Sequence, residues 1–206
     1  DESGGAQMTF DELQPVSARL RSHEQTITVL ETEKLDLQGQ VEHMQSQVVD
    51  TQEQLDAIVD RMAEEINKYA KELAKRFGVP RSETGVPQDL IVIGMGKLGG
   101  HELNVSSDID LIFFYDCDGE CGPTPEYPNV RKIISNQEFY ERLAKKVIPA
   151  LSEITWEGFV FRVDMRLRPN GDSGPIVGSS DMLEEYLMTQ GRDWERFAWL
   201  KGRVVN

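Results

Sequence analysis

A heptad pattern begins at Leu13 and continues to about Phe77. With Leu13 at position a and Val16 at position d, most residues at both positions are apolar over many heptads. Such a pattern predicts a long helical segment with a coiled-coil or bundle seam. Two alternatives stay open, one long helix or a hairpin that turns near Gly39, since glycine is costly in a helix interior.

The character of the sequence changes at Gly78, where a glycine and then Pro80 are expected to end the helix. We therefore predict a helical, heptad-rich segment over residues 1–78 and a separate core over 79–206, in an α+β fold with helices flanking a sheet. The patterns in the core predict strands at 90–93, 109–115 and 158–167, a loop at 119–129, and helices at 136–151, 181–188 and 192–205.

The formal net charge of −14 argues against non-specific binding to nucleic acid, because an acidic chain repels the phosphate backbone. No apolar run is long enough to cross a bilayer, and the first residues show no signal-peptide pattern. Cys117 and Cys121 are too few for a disulfide framework. These observations predict a cytoplasmic protein without nucleic-acid or membrane partners.

A glycine-rich motif, G-x-G-x-x-G, runs from Gly94 to Gly99 directly after a predicted strand. This is the fingerprint of dinucleotide binding, but that fold needs a full helix before the next strand. Only residues 101–107 separate the glycines from Asp108, which is short for a crossover between parallel strands. The spacing therefore disfavours dinucleotide binding.

Two carboxylates, Asp108 and Asp110, stand two residues apart at the start of a predicted strand. Side chains alternate along a strand, so both point to one face while Ile109 and Leu111 point to the other. Two like charges are unfavourable together unless a cation lies between them, and Mg²⁺ prefers oxygen ligands. The alternative is a solvated strand end with two surface aspartates.

A later predicted strand alternates apolar residues with Arg162, Asp164, Arg166 and Arg168, and Pro169 is expected to end it. One interpretation is an exposed strand with a ladder of ion pairs. The other is a third metal ligand, Asp164, beside guanidinium groups that could hold a polyphosphate. Three carboxylates on neighbouring strands behind a Gly-Gly turn are typical of two-metal phosphoryl or nucleotidyl transfer.

These motifs resemble a known family. A Gly-Gly turn, Asp-x-Asp on a strand and a later strand Asp are the pattern of polymerase-beta-type nucleotidyltransferases. The string from Gly94 to Leu111 is similar, more specifically, to the glutamine synthetase adenylyltransferases/adenylyl-removing enzymes. The Asn104–Ser107 spelling and the stretch from Gly191 to Arg196 resemble the N-terminal, deadenylylating half of those enzymes.

The resemblance implies a polymerase-beta-like sheet and an Mg²⁺-dependent enzyme, with a two-ion site, that regulates nitrogen assimilation. Orthophosphate would attack the adenylyl group on a tyrosine of glutamine synthetase and release ADP. By motif match, Mg²⁺ is expected at three catalytic carboxylates, Asp108, Asp110 and Asp164. The expected nucleotide- or phosphate-binding residues are Gly99, Gly100, Ser107, Arg166 and Arg168.

The sequence departs from this family in two ways. The heptads from Leu13 to about Met62 do not look like the family, and the chain stops soon after Trp194, which suggests a core truncated at its C-terminus. A PII-type signalling protein would then act through regions outside this chain. Two alternative functions stay open: an ATP-dependent protein adenylyltransferase with the same core, and a coiled-coil interaction module joined to an inactive nucleotidyltransferase-like domain.

Overall fold

A computed structural model describes residues 10–102, 108–152 and 162–206, with residues 10–13 described by their backbone alone. The chain combines helices with mixed sheets and begins with a long helix, as the sequence predicts. It divides into two compact units, Asp1–Asp50 and Thr51–Asn206.

Helices and strands are interspersed after the first helix, and short 3-10 turns lie at Gly171–Ser173 and Trp199–Lys201. The helices are α1 (Phe10–Phe77), α2 (Gly96–Gly99), α3 (Asn136–Ser152), α4 (Ser180–Thr189) and α5 (Asp193–Ala198). The strands are β1 (Val79–Pro80), β2 (Ile91–Met95), β3 (Ile109–Tyr115), β4 (Cys121–Gly122), β5 (Val163–Asp164), β6 (Val177–Ser179) and β7 (Arg203–Val204).

The first helix, α1, continues without a break through Gly39, so the single helix is observed and the hairpin is not. It ends at Phe77, where Gly78 takes a positive φ of 81° that favours glycine. The sequence places a domain boundary at this helix end. The compact units divide earlier, because residues from Leu55 to Phe77 of α1 belong to the hydrophobic core of the second unit.

The central sheet has the strand order β5-β3-β2-β7, and β6 also pairs with β3. Strand β3 is antiparallel to β2 and parallel to both β5 and β6. The turn from β2 to β3 is therefore not the parallel crossover that a dinucleotide-binding unit needs. The glycine motif instead forms the end of β2 and the four-residue helix α2.

The two faces of the sheet pack in different ways. Ile109, Leu111 and Phe113 of β3 join the main core, which includes α3 and the last part of α1. Ile112 faces the opposite side with Ile93 and Met95 of β2, where Trp199 packs against them. Because side chains alternate, Asp110 lies on this second face, away from the main core.

The predicted strand over 158–167 is wrong beyond Asp164, and residues 158–161 lie outside the described ranges. The chain turns immediately after β5, where the amide of Arg168 donates to the carbonyl of Met165 at 3.2 Å. The alternation of apolar residues favours a longer strand, but this local turn satisfies the backbone groups instead.

The predicted helix over 192–205 is also wrong in its second half. Helix α5 ends at Ala198, a 3-10 turn follows, and Gly202 leads into β7 with an extended backbone. The last residues then pair with β2, with Ile93 opposite Val204. Glycine is unfavourable in a helix and valine suits a strand, so local preference and sheet pairing act together here.

A separate two-stranded sheet joins the end of α1 to the loop predicted at 119–129. In it β1 pairs with β4, and Pro80 lies opposite Cys121.

Across the three described ranges, no helix is both long enough and apolar enough to cross a membrane.

Candidate active site

Two predicted site residues lie side by side at one edge of the sheet. Asp110 of β3 is the direct parallel partner of Asp164 of β5. Paired residues of neighbouring strands point to the same face, so the two carboxylates share a surface, as the sequence predicts. Met95, which immediately precedes α2, pairs with Asp110 on its other side. The glycine-rich turn therefore lies beside these carboxylates.

Of the two carboxyl groups, that of Asp110 has the less favourable electrostatic environment. Partial burial raises its pKa, and the nearby charges of Asp164 and Asp108 raise it further. The guanidinium of Arg166 has a smaller effect in the opposite direction. Ionised Asp110 thus lacks enough positive charge around it, and a bound cation would relieve that repulsion.

Asp164 is compensated by Arg166. The Nε of Arg166 lies 3.0 Å from one carboxylate oxygen and 2.8 Å from the other, and the amide of Arg166 donates to Oδ1 at 2.8 Å. These hydrogen bonds hold the pKa of Asp164 below its ordinary value. The turn after β5 positions this pair, since it folds residue 166 back over residue 164.

Asp108 has its own partner. The Nε of Arg162 donates to its Oδ1 at 2.6 Å, and 77% of the Arg162 side chain is exposed. Exposed ion pairs contribute only about 0–1 kcal/mol. Arg162 could therefore leave Asp108 for another anion with little loss of free energy if a divalent cation were bound to that carboxylate.

Gly96 provides the space that Asp110 occupies. Its φ is +56°, and a Cβ at this position would lie 2.8 Å from Oδ2 of Asp110. Any other residue would be strained and would push against the carboxylate. The sequence motif contains this glycine, but its contact with Asp110 could not be known before the strand pairing.

The two glycines predicted to contact phosphates have different surroundings. Gly99 is buried, and a Cβ there would lie 1.7 Å from the carbonyl oxygen of Lys201. Its backbone is thus packed against the turn before β7. Gly100 is half-buried, and its amide donates to the carbonyl of Gly96 at 3.0 Å. Nearby, Nζ of Lys201 lies 2.6 Å from the carboxylate of Glu102.

The remaining predicted phosphate ligands are not all at the surface. Arg168 is buried, and its Nη1 donates to the carbonyl of Met165 at 2.7 Å. It therefore does not share an open face with Arg162 and Arg166. Ser107 lies outside the described residues. Arg166 contacts the predicted metal ligand Asp164, as Arg162 contacts Asp108.

The carboxylates suit Mg²⁺ by their chemistry, because this ion takes oxygen ligands and a small number of acidic side chains. The charge imbalance at Asp110, which Asp164 and Asp108 both increase, supports the same fit. Within residues 10–102, 108–152 and 162–206, no three acidic, histidine or cysteine side chains are already grouped closely enough to hold a metal. The ion pairs with Arg162 and Arg166 are consistent with that spacing.

Comparison with known proteins identifies the family. The family model of glutamate-ammonia ligase adenylyltransferase matches residues 8–206. The chain belongs to this family. The match includes α1, although the heptads of that helix do not look like the family by inspection of the sequence.

Curated relatives of this adenylyltransferase family carry the name bifunctional glutamine synthetase adenylyltransferase/adenylyl-removing enzyme. One from Aromatoleum aromaticum is 63% identical over 133 residues, which are 65% of this chain and 13% of the relative. One from Burkholderia mallei is 59% identical over 136 residues, 66% of this chain and 14% of the relative. One from Nitrosomonas europaea is 55% identical over 130 residues, which are 63% of this chain and 13% of the relative. The matched part is thus about one seventh of these relatives.

The stretch from Gly191 to Arg196, which resembles the adenylyltransferase family in sequence, begins helix α5. Glu195 accepts from the hydroxyl of Tyr186 at 2.7 Å and from the amide of Arg192 at 2.7 Å. Arg196 donates to the carbonyl of Leu187 at 3.0 Å. These two side chains fix α5 against the end of α4, whereas Trp194 is exposed.

A cleft of about 560 Å³ lies at the other end of β2, between α1, α3 and the residues around Leu90. None of the predicted site residues within the described ranges lines it. Concave apolar clefts often bind small molecules, but the chemistry that the sequence predicts depends on the carboxylates at the opposite end of the strand. We therefore place the candidate active site at Asp110 and Asp164.

Proposed function

We propose that this chain carries a nucleotidyltransferase centre that removes AMP from an adenylylated tyrosine of glutamine synthetase, using orthophosphate and Mg²⁺. The observation that carries the proposal is the direct pairing of Asp110 with Asp164 beside Gly96. The sheet would be a polymerase-beta-type nucleotidyltransferase fold. Both cysteines are free thiols, which is consistent with a reducing cytoplasm.

The reaction balances without a redox partner. An oxygen of orthophosphate forms a bond to the adenylyl phosphorus, the bond from that phosphorus to the tyrosine oxygen breaks, and the tyrosine oxygen takes up a proton. The products are ADP and unmodified tyrosine. Asp108, Asp110 and Asp164 would hold Mg²⁺, which when bound neutralises phosphate charge.

The arginines would supply the rest of the positive charge. Arg162 and Arg166 now neutralise Asp108 and Asp164. With a cation held by the carboxylates, the two guanidinium groups would be available to phosphate oxygens, for which their planar donor geometry is well suited. Arg168 would act differently, since its bond to Met165 stabilises the turn that carries Arg166.

The names of the relatives also favour a second candidate, transfer of AMP from ATP to the same tyrosine. Those names cover both adenylylation and adenylyl removal. The two reactions need the same metal-binding carboxylates, and they differ in whether orthophosphate or ATP enters. Glutamine synthetase is the proposed protein substrate in each case, and control by a PII-type protein would involve regions of the relatives beyond the matched part.

The test is to incubate this chain with adenylylated glutamine synthetase, orthophosphate and Mg²⁺, and to measure ADP. Asp110→Asn and Asp164→Asn are each expected to reduce ADP formation by at least about 100-fold. Asp116→Asn is the matched control, because Asp116 is exposed just beyond the end of β3.

A parallel reaction with unmodified glutamine synthetase and labelled ATP decides the direction. Incorporation of label without ADP formation in the first reaction would assign adenylylation instead. ADP formation that Asp110→Asn leaves unchanged would show that these carboxylates are not the catalytic centre. Circular dichroism of each variant excludes unfolding as the cause of lost activity.

A further inference from the structure

The heptad seam of α1 changes its environment along the helix. From Val16 to Val48, its apolar a and d side chains are between 45% and 68% exposed. Further along the same register, Leu55, Ile58 and Met62 are at most 1% exposed. The first part of the seam thus carries the same apolar pattern as a buried helix face but has no covering residues within the described ranges. The exposed seam residues are Val16, Leu20, Ile27, Leu30, Leu37, Val41, Met44 and Val48.

We propose that residues 14–50 pair with the same residues of a second copy of this chain, as a parallel, in-register, two-stranded coiled coil. The choice of residues supports two strands. Ile27, Val41 and Val48 are β-branched residues at a positions, whereas Leu30 and Leu37 occupy d positions. These five positions have the distribution that favours parallel dimers over trimers and tetramers, whereas Leu20 at an a position and Val16, His23 and Met44 at d positions do not add to that preference.

The flanking charges also fit a second copy. In a parallel pair, the residue at position g faces the e residue of the following heptad in the other helix. Arg19 would then face Glu24, an attractive pair. Each of the next four g and e pairs contains at most one charged residue, so no like charges meet at these flanking positions. These pairs are Thr26 with Glu31, Glu33 with Gln38, Gln40 with Gln45, and Gln47 with Gln52.

Lys34 fixes the register. It occupies an a position, and in an in-register dimer the two Lys34 side chains share a single layer. A shift by one heptad would place each lysine against Ile27 or Val41 and so disturb two apolar layers. A lone lysine at an a position is a known way to specify register and strand number at some cost in stability. The paired segment would be about 55 Å long at 1.5 Å per residue.

The association is measured by sedimentation equilibrium on the full chain. We expect a dimer, and we expect Leu30→Asp to weaken self-association by at least about 100-fold, because it places a charge in the seam. Gln25→Asp is the matched control, since it introduces the same residue at an outward f position and should leave the dimer intact. Lys34→Val should tighten the dimer by about 10-fold or more.

The orientation is tested with Leu37→Cys under mild oxidation. A parallel, in-register dimer brings the two introduced thiols into one layer, so a disulfide between residues 37 of both chains is expected by peptide mapping. A monomeric chain would overturn the proposal and would mean that another segment or protein covers the seam. A trimer, a dimer insensitive to Leu30→Asp, or a dimer that does not cross-link at residue 37 would overturn it as well.

Discussion

Asp110 lies directly opposite Asp164 on the neighbouring parallel strand, and the pKa values of the two carboxyl groups shift in opposite directions. Burial and the neighbouring carboxylates raise the pKa of Asp110, whereas hydrogen bonds from Arg166 lower that of Asp164. The uncompensated negative charge is therefore located at Asp110. The interaction with Asp110 would therefore contribute most to the binding free energy of a cation at this site. Asp110 is the first residue to replace in a test of metal binding.

Replacing Asp110 should abolish stabilisation by Mg²⁺. A ligand at 100 times its dissociation constant stabilises the folded state by about 2.7 kcal/mol, which corresponds to a rise of several degrees in Tm. Wild-type protein and Asp116→Asn should show that rise in thermal unfolding with MgCl₂, and Asp110→Asn should not. Without Mg²⁺, Asp110→Asn should be at least as stable as wild type, because it removes a partly buried charge near Asp164 and Asp108. An equal Mg²⁺ shift in all three proteins would argue against metal binding at Asp110.

Gly96→Ala should destabilise the protein through two separate effects. The positive φ of +56° costs about 1–2 kcal/mol for a residue with a Cβ, and the contact with Oδ2 of Asp110 adds to it. Gly85→Ala is the control for the first effect, because Gly85 has φ +83° and a Cβ added there would meet no atom within 4 Å. Urea unfolding should show a larger loss for Gly96→Ala, and Asp110→Ala should reduce the difference. Equal losses at both glycines would mean that the carboxylate moves away freely.

Much of the sheet could be predicted from the sequence, because the apolar runs of β2 and β3 have few alternative structures. The sequence predicted that Asp110 and Asp164 lie on neighbouring strands, but not the register that places them directly opposite each other. The partners of those strands could not be predicted in the same way. Val204 pairs with Ile93, a residue far away in the sequence. The side-chain pattern near Val204 favours a helix, so the sequence alone did not predict this strand.

The site was predictable in its residue types but not in its ion pairs. The alternation of Arg162, Asp164, Arg166 and Arg168 suggested one charged face, which holds only while the chain remains a strand. The turn at Met165 instead buries Arg168 and folds Arg166 onto Asp164. A turn of this kind arises from backbone hydrogen bonds, to which the spacing of side chains gives little guide.

Two stacked tyrosines should respond differently to loss of their hydroxyl groups. Tyr115 and Tyr140 have ring centroids 5.2 Å apart, and the hydroxyl of Tyr115 donates to Asp118 at 2.7 Å. The hydroxyl of Tyr140 is buried without a partner among the described residues. Tyr140→Phe should therefore raise the free energy of unfolding by about 1 kcal/mol, and Tyr115→Phe should lower it by about the same amount. Urea unfolding of both variants checks this, and a loss of stability in Tyr140→Phe would reveal a partner for that hydroxyl.

The two cysteines should differ in reactivity. Cys121 is 2% exposed, and burial raises its pKa to about 12, whereas Cys117 is half-buried. Because the thiolate is the reactive form, iodoacetamide at pH 8 should modify Cys117 at least about 100 times faster than Cys121. Peptide mass mapping after brief labelling measures the ratio. Comparable labelling of the two residues would show that β4 opens readily from β1.

Alkaline pH should destabilise the fold through Cys121. The folded pKa of about 12 lies above the ordinary value of 9.0, so the stability that depends on the neutral thiol is complete below pH 9 and is lost as the pH rises towards 12. One such group lowers the free energy of unfolding by about 1.4 kcal/mol between pH 8 and pH 10, and Tyr115 and Tyr140, whose pKa values burial also raises, add to the loss in wild type and variants alike. Urea unfolding at these two pH values should show a smaller loss for Cys121→Val than for wild type, whereas Cys117→Val should match wild type. If Cys121→Val and wild type lose the same stability, the thiol of Cys121 ionises in the folded state as easily as in the unfolded chain.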